Sequence, residues 1–166
     1  RKDLRVYRGV LVEGGIEGMG SALESVASLE DPAGKMLVQR TLENGLLIRK
    51  VSVPLGVVAM VYEARPNVTA DAAGICVKSG NACVLRGGSM AVHSNLAIAQ
   101  VLRVAVEIVG LPADAVVAIE STDRPATDTL LRLRGLVAVL LPLCRAGLIH
   151  HFFEPAQVPL YATGVA

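Results

Sequence analysis

The sequence predicts an α/β protein with a Rossmann-like, doubly wound parallel sheet of about five strands. Two observations support this fold class. Of the 166 residues, 52% are apolar, and short apolar runs recur from residue 54 onward at intervals of about 20 to 35 residues, with helical segments between them. Such nearly continuous runs are typical of parallel strands covered on both faces, and right-handed crossovers between them give a doubly wound sheet.

An N-terminal helix and a β-hairpin precede this sheet. Apolar residues recur every three or four positions over residues 16–29, which indicates an amphipathic helix. Two apolar segments, 36–42 and 46–53, then flank Asn44-Gly45, a dipeptide typical of type I′ hairpin turns. Because a two-stranded ribbon is marginally stable alone, we expect the hairpin to pack against a partner.

Five apolar runs are predicted as the strands of the sheet: residues 57–62, 82–85, 116–119, 137–141 and 158–161. Helix signals separate them. Thr69 is predicted to cap the first helix and Ser89 the second, while Pro125 suits the first turn of the third. We divide the chain into a lead and helix over 1–30, a hairpin over 31–53 and an α/β domain over 54–166.

Charge and composition exclude several classes of function. The net charge of +1 does not provide the concentrated basic face that nucleic-acid binding requires. The apolar run over residues 136–144 is far shorter than the roughly 20 residues of a membrane span, so no membrane is expected. Three cysteines in irregular spacing suit a reducing cytoplasm rather than a disulfide framework. Since the first residue is Arg1, we expect a processed chain or a piece of a longer one.

The loop after the second predicted strand is a candidate anion site. Arg86-Gly87-Gly88 turns the chain and Ser89 opens a helix, whose N-terminus attracts anions. Two glycines allow backbone amides to approach a phosphate, and the guanidinium adds charged donors. The alternative is a tight strand-to-helix turn with a solvated arginine. The common dinucleotide and triphosphate fingerprints are absent from the sequence.

The loop after the first predicted strand carries an acid, a base and an amide in Glu63, Arg65 and Asn67. An amide donor at a strand end is able to stabilise an oxyanion. The alternative is an ordinary Pro-Asn turn that begins the next helix. His150 and His151 are adjacent and do not share a metal as i, i+4 histidines do, and His93 is interpreted as a packing or surface residue, so no metal site is expected.

A series of ordered motifs resembles the gamma-glutamyl phosphate reductases, also called glutamate-5-semialdehyde dehydrogenases, of the aldehyde dehydrogenase superfamily. The resemblance covers about residues 16 to 142. The motifs are Asp31-Pro32-Ala33-Gly34, Asn44-Gly45-Leu46, Val53-Pro54-Leu55-Gly56, Tyr62-Glu63-Ala64-Arg65-Pro66-Asn67, Lys78-Ser79-Gly80-Asn81, Leu85-Arg86-Gly87-Gly88, Ser94-Asn95 and Gly110-Leu111-Pro112-Ala113.

The resemblance implies an activity and a site. The family reduces L-glutamyl 5-phosphate to L-glutamate 5-semialdehyde with NADPH in proline biosynthesis. It implies that residues 54–166 are an NADP-binding domain and that the hairpin is an oligomerisation element, so we expect a homo-oligomer, a dimer. Its site residues are Asn67 for the oxyanion, Glu63 and Arg65 for the substrate, and, for NADP(H), Pro66, Arg86, Gly87, Gly88 and Ser89.

Two departures from the family leave a second function open. Where the family reads Pro-Arg-Gly-Gly, this chain has Pro142-Leu143-Cys144-Arg145. The family's second half, which carries the nucleophilic cysteine, lies beyond the matched residues, and no cysteine of this chain is expected to replace it. The alternative is a degenerate or truncated, non-catalytic module for nucleotide binding or interaction.

Overall fold

The structure is a computed structural model that describes residues 13–63, 65–144 and 152–162. Its elements, in chain order, are α1 (Glu13–Ser28), β1 (Met36–Thr41), β2 (Leu47–Val51), β3 (Val57–Tyr62), α2 (Pro66–Lys78), β4 (Ala82–Arg86), α3 (Val92–Ile108), β5 (Val116–Ala118), α4 (Arg124–Arg132) and β6 (Val139–Leu143). Short 3-10 turns at Ser89–Ala91 and Ala113–Ala115 precede α3 and β5.

Four strands form a parallel sheet in the order β5-β4-β3-β6. Successive side chains of β3 pack on opposite faces: Val58 and Met60 join the cluster under α2 and α3, whereas Ala59 and Val61 join the cluster that includes residues of α4. Both faces of the central strand are therefore covered. This confirms the predicted α/β class and the doubly wound sheet.

The fifth predicted strand, residues 158–161, does not extend the sheet. It makes a single bridge, in which Leu140 donates its N–H to the Pro159 carbonyl at 2.8 Å and Tyr161 donates to the Leu140 carbonyl at 3.0 Å. Pro159 has no N–H to continue a ladder. The prediction of about five strands is thus wrong by one, since an apolar run with a central proline makes only a short edge contact.

The hairpin of β1 and β2 is antiparallel, with Gln39 opposite Arg49. The predicted type I′ turn is wrong, because Asn44 does not adopt the positive φ that this turn requires at both central positions. Gly45, at φ 84°, closes a three-residue loop in which Leu42 donates to the Leu46 carbonyl at 2.9 Å. The Asn44 side chain instead accepts the Leu46 N–H at 3.1 Å.

The hairpin is exposed along β1, all six residues of which are accessible to solvent. Leu37 and Val38 are each 51% exposed although they point to opposite faces of the ribbon. Apolar side chains on both faces of a ribbon are typical of a segment that another chain or domain covers. That this ribbon packs against a partner remains a prediction.

One segment, Ser89–Ile108, is long and apolar enough to cross a membrane by length and composition alone. It contains the 3-10 turn before α3 and the whole of α3. The buried side of the segment includes Ala91, Ala99 and Val106, and α3 packs against α2 and β5. A helix that covers one face of a parallel sheet passes the same test of length and composition.

Candidate functional site

The carboxyl ends of β3, β4 and β6 lie side by side at one edge of the sheet. Val61 pairs with Arg86 and Tyr62 pairs with Leu143. The connection from β3 leads through α2 to β4 on one side, and the chain later returns to β6 on the other side. This reversal makes a topological switch point between β3 and β6, and open α/β sheets bind ligands in the crevice at such a point.

Arg86 closes β4 and reaches across to the loop after β5. Its Nη2 donates to the carbonyl oxygen of Thr122 at 2.5 Å, with a longer contact of 3.5 Å to that of Asp123. Its Nε is buried and has no hydrogen-bond partner within residues 13–63, 65–144 and 152–162. The guanidinium is therefore partly buried and bound to backbone, unlike the solvated arginine of the alternative interpretation.

Gly87, the first glycine of the turn after Arg86, packs against the buried side chains of Asn95 and Tyr62. A side chain at Gly87 would overlap the amide nitrogen of Asn95 and lie 3.2 Å from Cε2 of Tyr62. Gly88 has an ordinary extended conformation (φ −70°, ψ 156°), and Ser89 is exposed and makes no side-chain cap. Because a 3-10 turn intervenes, α3 begins at Val92, and the predicted capping role of Ser89 is wrong.

The loop after β3 leads directly into α2, which begins at Pro66. Arg65 is the N-cap residue, with extended backbone and no side-chain cap. Pro66 is buried, whereas Glu63, Arg65 and Asn67 are exposed at the site edge; Ala64 lies outside the described residues. The amide of Asn67 is thus at the first turn of α2, at the edge where the sequence analysis predicts it.

Thr69 lies inside α2 rather than at its start, so its predicted capping role is wrong. A proline at the first helical position explains the earlier start, because its fixed φ is already helical. The buried Thr69 hydroxyl is within 2.7 Å of the Tyr62 hydroxyl and donates to Oδ1 of Asn95 at 3.2 Å. These three side chains lie beneath the Gly87 turn, and the sequence analysis missed this network.

Cys144 follows β6 at the switch point, where its thiol donates to the Val61 carbonyl at 3.4 Å. Burial, and after it the Glu63 carboxylate, raise the pKa of this thiol, the Arg86 guanidinium opposes them, and the resulting pKa is about 11. Glu63, Arg86 and Cys144 therefore share one electrostatic neighbourhood. The thiol is protonated at neutral pH and is a poor nucleophile; Arg145 lies outside the described residues.

The other two cysteines are buried in the core. The hydrogen bond that the Cys83 thiol donates to Cys76, followed by burial, raises the pKa of Cys83, and both side chains belong to the cluster under α2 and α3. His93 is exposed on the first turn of α3, whereas His150 and His151 lie outside the described residues. Within those residues, no group of three His, Cys, Asp or Glu side chains is placed to hold a metal.

A polar cavity of about 490 Å³ lies between α3 and the carboxyl end of β5, and its lining includes Gln100, Arg103 and Glu120. Arg103 is held by Asp114 at 2.9 Å and by the Val116 carbonyl at 3.3 Å. The sequence analysis missed this cavity. Its signal is a carboxylate directly after a predicted strand, which places Glu120 at the ligand edge.

The chain is similar in sequence to several proteins that share one name. Gamma-glutamyl phosphate reductase 2 of Bacillus licheniformis is 53% identical over 143 residues, which are 86% of this chain and 34% of the relative. Gamma-glutamyl phosphate reductase of Caldanaerobacter subterraneus subsp. tengcongensis is 46% identical over 168 residues, covering 99% of this chain and 41% of the relative. The chain thus spans about two fifths or less of these relatives. No protein-family model matches it.

Solved structures agree with the sequences. Gamma-glutamyl phosphate reductase of Thermotoga maritima has a TM-score of 0.93 and 38% identity, and the match covers all of this chain and 40% of that one. An engineered glycolyl-CoA reductase with bound NADP+ shares the fold, with a TM-score of 0.66 and 16% identity over 96% of this chain and 41% of that one. By sequence identity and by fold, the chain is therefore a homologue of the gamma-glutamyl phosphate reductases, of which it spans about two fifths.

Proposed function

We propose that the chain is the nucleotide-binding part of an NADP-dependent glutamate-5-semialdehyde dehydrogenase. The whole enzyme reduces L-glutamyl 5-phosphate to L-glutamate 5-semialdehyde in proline biosynthesis. Relatives named gamma-glutamyl phosphate reductase support this reaction. Because the chain spans about two fifths of their length, we propose that the rest of the enzyme supplies the remaining catalytic groups. NADPH, when bound, supplies the hydride.

The observation that carries the proposal is the hydrogen bond from Arg86 to the loop after β5, a loop that begins at the polar cavity. Its Nη2 binds the Thr122 carbonyl in the loop that follows Glu120, a residue of the cavity lining. In this proposal the adenosine end occupies the cavity and the guanidinium faces the 2′-phosphate. Among the described residues, the buried Arg86 Nε has no hydrogen-bond partner, and the guanidinium has further donors beyond Nη2 that an anion can accept.

Cofactor choice follows from two opposed charges at this edge. A carboxylate after a strand binds a free ribose hydroxyl and disfavours a 2′-phosphate, whereas an arginine accommodates the phosphate. Here Glu120 is the carboxylate and Arg86 is the arginine. Arg86 is therefore proposed to make the chain prefer NADPH to NADH, and Gly87, Gly88, Ser89 and Pro66 are proposed to contact the cofactor beside it.

At the other end of the edge, Asn67 is proposed to stabilise the oxyanion formed at the substrate carbonyl. It is exposed on the first turn of α2, where an amide donor adds to the helix N-terminus. Glu63 and Arg65 are proposed to contact the substrate. The nucleophile is proposed to come from outside this chain, since Cys76 and Cys83 are buried and burial keeps Cys144 protonated.

The exposed hairpin is proposed to assemble the protein into a dimer. Its strand β1 has no buried residue, and an unpaired ribbon edge invites pairing with a second chain. A cytoplasmic location remains a prediction from the three free thiols.

Calorimetric titration of the chain with NADPH and with NADH tests the nucleotide proposal. We expect NADPH to bind at least tenfold more tightly. Arg86→Ala should remove that preference, because a charged hydrogen bond contributes about 1.5 to 3 kcal/mol. Arg132→Ala, at the exposed end of α4, is the matched control and should change neither affinity. Equal affinities for the two nucleotides in the unmodified chain would overturn the proposal.

Cys144 favours a second function, a non-catalytic nucleotide-binding module. Its half-buried thiol follows β6, where the family pattern has a glycine. A side chain at this point narrows the switch-point crevice. A chain that binds NADPH but shows no turnover when the rest of a relative's length is supplied as a separate polypeptide would favour the module over the enzyme part.

A further inference from the structure

We infer that Asn95 is the positioning residue of the turn Arg86-Gly87-Gly88-Ser89, holding its backbone where the nucleotide binds. This inference rests on the proposed nucleotide function of that turn. Asn95 lies in the first turn of α3 and is only 4% exposed. It does not touch the nucleotide in this account, and it acts through Gly87.

A chain of hydrogen bonds fixes the Asn95 amide. Thr69 donates its hydroxyl proton to Oδ1 of Asn95 at 3.2 Å. Since that proton is committed, Tyr62 donates its own hydroxyl to Thr69 Oγ1, at 2.7 Å. Tyr62 and Thr69 are themselves buried, so the chain runs from the end of β3 through α2 to α3 entirely within the protein.

The fixed amide forms the surface on which Gly87 rests. A Cβ atom at position 87 would overlap Nδ2 of Asn95 and lie 3.2 Å from Cε2 of Tyr62. The glycine is therefore required by the groups behind the turn. The conventional reason for glycine in such a turn, the close approach of a phosphate from the front, is not needed to explain Gly87.

The amide has one anchored end. Nδ2 of Asn95 is buried without a hydrogen-bond partner in the part of the chain that the structure describes, so Oδ1 and the Thr69 hydroxyl set its orientation. Without the hydrogen bond from Thr69, the Asn95 amide against which Gly87 packs shifts, and the backbone on both sides of Gly87 shifts with it. We therefore expect NADPH and NADH to lose affinity equally, whereas Arg86→Ala weakens NADPH more than NADH.

A set of five variants tests the inference: Gly87→Ala, Asn95→Ala, Asn95→Leu and the two double variants that combine Gly87→Ala with each substitution at position 95. Calorimetry measures both nucleotide affinities, and urea unfolding measures stability. We expect Gly87→Ala alone to weaken both nucleotides at least tenfold. In the Asn95→Ala background, Gly87→Ala should lower nucleotide affinity by less than a further twofold, because the Asn95 side chain no longer obstructs a Cβ atom at position 87. In the Asn95→Leu background, which keeps a side chain of similar size at position 95, Gly87→Ala should again lower nucleotide affinity at least tenfold.

Equal losses from Gly87→Ala with and without Asn95 would overturn the inference, because the glycine would then be required by the ligand. If Asn95→Ala does not fold, Thr69→Val removes the anchoring hydroxyl and Thr69→Ser keeps it. Weakened binding of both nucleotides in Thr69→Val alone supports the inference, and unchanged binding overturns it. If the unmodified chain binds neither nucleotide, the proposed function fails, and non-additive unfolding energies of Gly87→Ala and Asn95→Ala still decide whether Asn95 seats the turn.

Discussion

Arg86 donates from Nη2 to the carbonyl oxygen of Thr122 at 2.5 Å, and this bond ties the turn after β4 to the turn after β5. The turn after β5 begins at Glu120, which lines the polar cavity. One guanidinium therefore has two tasks in this account, because it holds the loop and also presents charge to the nucleotide. Its planar fork of donors suits both tasks at once.

Arg86→Lys should separate these two tasks. Lysine keeps the positive charge but has no planar fork of donors. We therefore expect the affinity for NADPH to fall several-fold, while the chain keeps part of its preference for NADPH over NADH. Amide hydrogen exchange over residues 120–123 should accelerate, because the loop loses its anchor. Unchanged exchange in that loop would contradict the anchoring role of Arg86.

The Cys144 thiol should titrate far above a free thiol. Burial raises its pKa from 9.0 to about 11, so the folded state retains a proton that the unfolded state loses. The resulting stability is fully present below pH 9 and is lost as the pH rises toward about 11. The difference in ultraviolet thiolate absorbance between the unmodified chain and Cys144→Ser measures this midpoint. A midpoint at or below 9 would contradict the account.

The chain alone should not turn over substrate. With glutamate 5-semialdehyde, phosphate and NADP+, the reverse reaction should form no NADPH above background, because each of the three thiols is buried or protonated. Cys144→Ser should give the same null rate. Turnover by the unmodified chain that disappears in Cys144→Ser would show that Cys144 is a nucleophile.

Light scattering should find a dimer whose contacts involve the hairpin. Val38→Lys places a charge on an apolar strand surface that is 51% exposed, and we expect it to shift the chain toward monomer. Val101→Lys, on the exposed side of α3 at 69% exposure, is the control and should leave the mass unchanged. A monomer at concentrations of about tens of micromolar, with the hairpin folded, would contradict this prediction.

The spacing of apolar runs was sufficient to predict the α/β series and the edge at which its loops meet. The errors lie where one residue changes the hydrogen-bonding pattern. Pro159 reduces a predicted strand to one bridge, and Pro66 starts α2 before the expected cap at Thr69. In the hairpin, the Asn44 side chain caps the turn instead of its backbone entering the left-handed region.

The site was predicted in part for a similar reason. Arg86 and Asn67 follow strands, so topology alone places them at the ligand edge. The packing of Asn95 behind Gly87 joins residues from α3 and the β4 turn, and their contact depends on the tilt of a helix rather than on sequence spacing. The reason why position 87 must be glycine is visible only in three dimensions.

The most direct test of the account is to map where NADPH binds. Backbone amide chemical shifts of the isotope-labelled chain should change on addition of NADPH at two groups of residues, 86–92 and 118–123, and remain constant in the hairpin. The 2′-phosphate should add shifts at Arg86 that NADH does not produce. Shifts confined to the hairpin, or to the apolar groove that Leu23, Val77 and Leu102 line between α1, α2 and α3, would contradict the claim that the carboxyl edge of β4 and β5 is the nucleotide site.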